Sequence, residues 1–272
     1  MTPETRQALL RLLATEASAF QVRLPEETDQ LALCQELERR RILRRTIDEP
    51  DRVCFERRAG APLLDLMLKH QTDKALHRFD LAYALMFGED RRSRVTNVLE
   101  LGIKKGASLR VWEEYFPNAR IFGVDLNPKF TQPPKLTAQY SARTRIFLGS
   151  QTDERVLAEV CGIAGRFDLV IDDASHRSDD QVASLRYLWP FVKDDGVYAI
   201  EDTHAHVQFP DAYSNESCRY LPMSEMLAAE VARRLAEELS ESPGICAFDG
   251  IALLLKREDG PILDFDRYLK PA

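Results

Sequence analysis

The chain has 272 residues, 44% hydrophobic and 30% charged, the proportions of a globular protein that buries a core without staples. Lys plus Arg is 37 and Asp plus Glu is 44, for a formal net charge of −7, which argues against a nucleic-acid binder because phosphate contacts favour a basic face. Five scattered cysteines (Cys34, Cys54, Cys161, Cys218, Cys246) without CxxC spacing, no signal-peptide core in MTPETRQALLRLL and no eighteen-residue apolar run exclude a disulfide scaffold, a cysteine zinc site and a membrane span, so a cytoplasmic protein is expected.

Residues 3–14 and 26–42 carry apolar residues at helical spacing, and two short strands, 42–46 and 52–57, flank the turn signal DEPD. Helix plus β-ribbon with Arg39, Arg40, Arg41, Arg44 and Arg45 has the outline of a winged helix, but arginine runs are usually solvated helix faces and the total charge has the wrong sign. A small α+β auxiliary region, residues 1–60, for dimer contacts or substrate covering is expected instead. AGAP at 59–62 marks the boundary to a main domain over 61–272. Residues 63–87 read as helical ends around a polar interruption, HQTDKALH, which gathers Lys74 and His77 before the first strand of the main sheet.

The main domain is organised around residues 98–125, VLELGIKKGASLRVWEEYFPNARIFGVD. The pattern is strand, glycine turn, helix, strand, acid. Gly102 and Gly106 bracket a tight turn whose backbone can approach a ligand, and Asp125 can accept hydrogen bonds from both hydroxyls of a ribose. Further strands are predicted at 145–148, 167–171 and 196–200, with a helix over 178–191 opened by a capping box from Ser178 to Gln181. A strong amphipathic helix follows at 225–239. The last predicted pair, 245–248 and 251–256, flanks the hairpin signal Asp249–Gly250. Alternating helices and strands imply an α/β fold with a mostly parallel sheet, here closed by an antiparallel C-terminal hairpin.

Two acidic clusters end neighbouring strands. IDDASH supplies Asp172, Asp173 and His176, and IEDTHAH supplies Glu201 and Asp202 with His204 and His206. If those strands pair, their ends lie about 5 Å apart and four carboxylates crowd one region. Such repulsion needs raised pKa values or a bound cation, and a hard divalent ion on carboxylates suits magnesium better than zinc. His176, on the loop leaving its strand, could reach the same crevice as a general base.

Together these motifs resemble the class I S-adenosylmethionine-dependent methyltransferases. VLELGIKKG and IFGVD look like their first two motifs, and the terminal hairpin fits their Rossmann-like sheet. TDK…H…Y at Thr72, Asp73, Lys74, His77 and Tyr83, with GSQTD, IDDASH and IEDTH, resembles more narrowly the metal-dependent macrolide sugar O-methyltransferases, such as the mycinamicin and macrocin enzymes. The likeness spans roughly residues 63–257. Gln71, Phe79 and Ala174 depart from the usual glycine, tyrosine and glycine of that family.

The resemblance implies magnesium on Asp173, Glu201 and Asp202, and His176 as base. It places S-adenosylmethionine on Glu100, Gly102 and Asp125, with Gln151 and Asp153 near the adenine and Lys74 and His77 closing the pocket. It implies methyl transfer to a sugar hydroxyl of a glycosylated, antibiotic-type small molecule by a homo-oligomeric enzyme. An aminosugar N-methyltransferase and a non-catalytic binding protein on the same scaffold are the alternatives. Residues 208–223, of loop composition, are expected to cover the substrate.

Overall fold

A computed structural model describes residues 3–13, 19–40, 42–57, 62–131, 140–213, 216–236, 244–257 and 262–270. The chain forms two compact units, Met1–Gly88 and Glu89–Ala272. Three of the four residues of the AGAP boundary, 59–61, lie outside the described residues. Residues 62–88, which the sequence groups with the main domain, belong to the first unit.

The first unit contains α1 (Pro3–Leu13), β1 (Ala19–Arg23), α2 (Thr28–Arg39), β2 (Leu43–Glu49), β3 (Arg52–Arg57), α3 (Pro62–Lys69) and α4 (Phe79–Met86). Its antiparallel sheet has the order β1-β3-β2. The predicted hairpin is β2 and β3. β1 is an addition, pairing Phe20 with Phe55 and Val22 with Val53. Those four side chains are buried with Cys34 and Leu37 of α2, as period-2 alternation on one sheet face requires. The arginines are engaged with acids: Arg40 with Glu36 at 2.7 Å, Arg44 with Glu56 at 3.0 Å and Arg45 with Asp48 at 2.8 Å. Between α3 and α4, the interruption HQTDKALH folds as a 3-10 turn at Asp73–Ala75. Gln71, at the position where glycine is usual, takes a left-handed φ of 57°.

The second unit contains α5 (Glu89–Arg92), β4 (Asn97–Leu101), α6 (Ala107–Tyr115), β5 (Arg120–Asp125), α7 (Pro128–Thr131), β6 (Thr144–Leu148), α8 (Glu154–Ala164), β7 (Phe167–Asp172), α9 (Ser178–Leu188), β8 (Val192–Glu201), α10 (Ala205–Gln208), α11 (Met223–Ala236), β9 (Gly244–Phe248) and β10 (Ile251–Leu255). The seven-stranded sheet has the order β6-β5-β4-β7-β8-β10-β9. β6 through β8 are parallel, and β10 runs antiparallel to both β8 and β9. This is the mostly parallel sheet with the C-terminal hairpin that the sequence implied.

Every residue of β4 is buried, which explains its near-continuous apolar run. Leu99 and Leu101 join a core with Phe122, Val170, Tyr198, Leu157 and Val160 of α8, Leu185 of α9 and Met226 of α11. Each such side chain contributes about 1.5–3 kcal/mol relative to exposure. The capping box of α9 does not form. Its N-cap, Arg177, makes no side-chain cap, because Ser178 donates to the Tyr220 carbonyl at 3.2 Å while Asp179 accepts the Arg219 and Tyr220 amides at 2.8 and 3.1 Å. The first turn of α9 is thus used to anchor the segment leading into α11.

From β4 the chain winds outward to β5 and β6, then returns to the other side of β4 for β7 and β8. The order therefore reverses between β4 and β7, and open α/β sheets bind ligands outside the carboxyl ends of the strands at such a switch point.

Candidate active site

The glycine turn leaves β4 at that point. Glu100 is fully buried, and its Oε2 accepts from Ser108 Oγ at 2.7 Å and Trp112 Nε1 at 3.1 Å, tying the strand to α6. Gly102 has φ +84° and donates to the Val124 carbonyl at 2.8 Å. A Cβ there would lie 2.2 Å from the Asp173 carbonyl oxygen and 2.6 Å from Ala174 Cα. Only glycine lets the turn and the β7 loop approach this closely. Gly106, with φ +72°, caps α6, and Tyr140 packs its hydroxyl into the space a Cβ would take while donating to the Gly106 carbonyl at 2.9 Å. Burial pushes the Tyr140 phenol up to about 12. Asp125 is oriented by two backbone amides, Lys104 to Oδ2 at 2.8 Å and Asn127 to Oδ1 at 2.7 Å.

The loop after β7 is held amide by amide. Asp173 N–H donates to the Leu101 carbonyl at 2.9 Å, and Ser175 N–H donates to Gln151 Oε1 at 2.8 Å. Asp172, fully buried, accepts from Gln151 Nε2 at 3.0 and 3.1 Å, from Ser184 Oγ at 2.6 Å and from Tyr198 Oη at 3.2 Å. Burial raises the Asp172 carboxyl above its usual range despite these donors, and it pushes the Tyr198 phenol well above 10.

β7 and β8 pair with Asp172 opposite Ile200, so Asp173 and Glu201 follow at adjacent strand ends. The two strand ends are therefore adjacent, and Asp173 and Asp202, though not Glu201, fall in one group of candidate ligand atoms. Asp173, His176 and Asp202 each offer a ligand atom within 4.8 Å of the others'. His176 Nε2 lies 3.9 Å from Asp173 Oδ1 and 3.9 Å from Asp202 Oδ2, and the histidine side chain is 7% exposed. Its ring stands edge-on to Tyr213, with centroids 4.9 Å apart at 76°. Two of the three residues hold left-handed backbones, His176 with φ 57° and Asp202 with φ 50°. Glu201 is buried at the same strand end, opposite Ile251 of β10.

The remaining expected residues are placed as follows. Gln151 is buried, and its amide is occupied by Asp172 and Ser175. Asp153 caps α8 by accepting the Arg155 amide at 3.0 Å. Lys74 is buried in the 3-10 turn of the first unit, and His77 stacks on Phe79 at 5.4 Å. Ser184, Tyr198, Tyr140 and Tyr213 are additions to the sequence reading. Ser184 and Tyr198 sit among apolar neighbours inside a regular helix and strand, and Tyr140 follows an unpatterned stretch, so none carries a motif. Tyr213 falls inside the segment expected to cover the substrate, of which residues 214 and 215 lie outside the described residues.

Residues 99–203 match a family model described as a methyltransferase domain. The chain is 39% identical over 146 residues to the 8-demethyl-8-(2-methoxy-alpha-L-rhamnosyl)-tetracenomycin-C 3'-O-methyltransferase of Streptomyces olivaceus, covering 50% of this chain and 35% of that protein. It is 34% identical over 153 residues to the demethylmacrocin O-methyltransferase of Streptomyces fradiae, covering 53% and 37%. A solved structure of the MycE methyltransferase from the mycinamycin biosynthetic pathway, in complex with Mg, S-adenosylhomocysteine (SAH) and mycinamycin VI, superposes with a TM-score of 0.59 at 27% identity, covering 76% of this chain and 57% of that one. The second unit thus has the fold of class I methyltransferases. The matched segments span little more than a third of the two curated relatives.

Proposed function

We propose that the chain transfers the methyl group of S-adenosylmethionine to a sugar hydroxyl of a glycosylated natural product, with magnesium as cofactor and His176 as general base. The observation that carries this reading is the meeting of two sites at one switch point. The glycine turn and Asp125 lie on β4 and β5, and Asp173, His176 and Asp202 lie on β7 and β8. The tetracenomycin and macrocin relatives, and MycE with its Mg and SAH, support the same chemistry.

The donor rests on the turn between Gly102 and Gly106, with its ribose hydroxyls on the Asp125 carboxylate. Lys104 and Asn127 hold that carboxylate in place without using up its acceptor capacity. Glu100 braces the turn through Ser108 and Trp112. Asp173 and Asp202 offer carboxylate oxygens of the kind a hard divalent ion takes, and Glu201 is buried at the same strand end. Bound there, magnesium supplies Lewis acidity that lowers the pKa of a chelated hydroxyl. His176 Nε2, facing the same carboxylates, takes the hydroxyl proton as the sugar oxygen forms its bond to the methyl carbon. The S–CH3 bond breaks, and its electron pair stays on sulfur as a neutral thioether. Holding both reactants aligned supplies much of the remaining acceleration.

Turnover with S-adenosylmethionine and a deoxysugar-bearing polyketide, read by mass spectrometry of the sugar fragment, tests the reading. Excess chelator, or the substitution Asp173→Asn, is expected to lower the rate at least about a hundredfold. Undiminished turnover in either case overturns the metal role, and methyl recovered on nitrogen overturns the O-methyl assignment.

A further inference from the structure

The carboxylate pair faces an imidazole nitrogen, and that nitrogen is itself a metal ligand of a different class. Asp173, His176 and Asp202 present ligand atoms within 4.8 Å of one another. The point nearest to all three corners of such a triangle lies at most 4.8 Å divided by √3, or about 2.8 Å, from each. A contraction of about 0.6–0.8 Å, within the reach of side-chain adjustment, brings this to the roughly 2.0–2.2 Å of nitrogen and oxygen bonds to zinc. Magnesium is a hard ion that keeps oxygen ligands and water, whereas imidazole suits zinc, nickel and copper. The His176 side chain is 93% buried on its 7% exposure, and Nε2 is aimed between the two carboxylates. Nδ1 is buried and has no hydrogen-bond partner among the described residues. Steric packing against Tyr213 and the left-handed backbone therefore present Nε2, with no hydrogen bond at the far side of the ring to hold it back from an ion.

We infer that this one site takes divalent cations in two modes. An oxygen-seeking ion binds the carboxylates and leaves His176 available as base. A nitrogen-accepting ion, with zinc as the type, recruits His176 as a further ligand and thereby removes the base. Zinc would then be an inhibitor that competes with magnesium, and the identity of the metal would switch the site off without any change of fold. This inference rests on the reading of Asp173 and Asp202 as cation ligands given above.

Calorimetric titration of Zn2+ and of Mg2+ into wild-type protein and into His176→Gly tests it. Glycine adopts the left-handed backbone of position 176 without strain, and His176→Asn, which also tolerates it, serves as the second variant. Loss of a mere outer-shell partner weakens metal binding about 10–100-fold, so loss of a direct ligand is expected to raise the Zn2+ dissociation constant at least about tenfold. The Mg2+ constant should rise by clearly less than the Zn2+ constant, because in that mode His176 faces the carboxylates without touching the ion. In wild-type protein carrying 15N-labelled histidine, Zn2+ should move the His176 Nε2 resonance and Mg2+ should leave it in place. Unchanged Zn2+ affinity in the variants, an equal loss for both ions, or a stationary Nε2 resonance under Zn2+ overturns the inference. If wild-type protein binds Mg2+ in an Asp173-dependent way while Zn2+ ignores His176, only this inference fails. If it binds neither ion, the magnesium reading fails with it.

Discussion

Replacing Gly102 with alanine probes the contact between the glycine turn after β4 and the loop after β7. The added Cβ lies 2.2 Å from the Asp173 carbonyl oxygen and 2.6 Å from Ala174 Cα, all backbone neighbours that no rotamer change can move. Ordinary contact begins near 3.4 Å, so the β7 loop must retreat by about 1 Å. The left-handed φ of +84° adds about 1–2 kcal/mol for any residue with a Cβ. Overpacking adds about 1–3 kcal/mol more. A total loss of about 2–5 kcal/mol is expected in urea unfolding, together with weakening of the Asp173–Leu101 backbone bond. A displacement of 1 Å costs catalysis about a hundredfold, so kcat/KM should fall by about that factor even where the variant is folded. Gly162 is the control: it sits inside α8, and a Cβ there meets nothing within 4 Å. Gly162→Ala should be neutral or stabilising by up to about 1 kcal/mol. A Gly102→Ala protein with wild-type turnover and stability within about 0.5 kcal/mol of wild type would refute the argument that this glycine exists for the close approach.

Gln151→Leu removes the amide that bridges Asp172 and Ser175. It should cost about 1–3 kcal/mol of stability, the penalty for leaving buried partners unmet. Calorimetry should also show about 10–100-fold weaker Mg2+ binding, as for lost outer-shell support. Equal Mg2+ affinity with only a stability loss would restrict Gln151 to a structural role. Asp172→Asn is read through pH. Burial raises this carboxyl above its ordinary 3.8 in the folded state, so the native protein holds its proton more tightly than the unfolded chain does. Wild type should therefore lose stability relative to the variant as pH rises from about 4 through the folded pKa. Urea unfolding at a series of pH values checks this, and a pH-independent difference would contradict the assigned cause.

Much of the architecture was legible because the signals were long and periodic. β4 reads as a strand because all its residues are buried, and Asp249–Gly250 marks the hairpin that the sheet order places at its edge. The acidic clusters were legible because strand ends, unlike strand middles, tolerate consecutive charges. Three features were not legible, for physical reasons. β1 is five residues long and lies in a segment without turn signals, so it exists only through its pairing with β3. The capping box of α9 was a sound local expectation that lost to a tertiary demand, since Ser178 and Asp179 hold the chain near Tyr220. The Asp172–Gln151–Ser184–Tyr198 network is made of hydrogen bonds between residues 12 to 33 positions apart, and no spacing rule reports a hydrogen bond at such separations.

The left-handed backbones of His176 and Asp202 set a limit on how this protein can be improved. Each non-glycine residue in that region carries strain of about 1–2 kcal/mol, somewhat less for His, Asn and Asp. Glycine at either position would relieve it, so a selection for thermal stability alone would draw both positions toward glycine. The same two substitutions delete His176, the base in the proposed reaction, and one of the carboxylates that face it. Heat resistance and chemistry therefore pull against each other at positions 176 and 202, and stabilising screens should hold both residues constant while they explore the rest of the sheet.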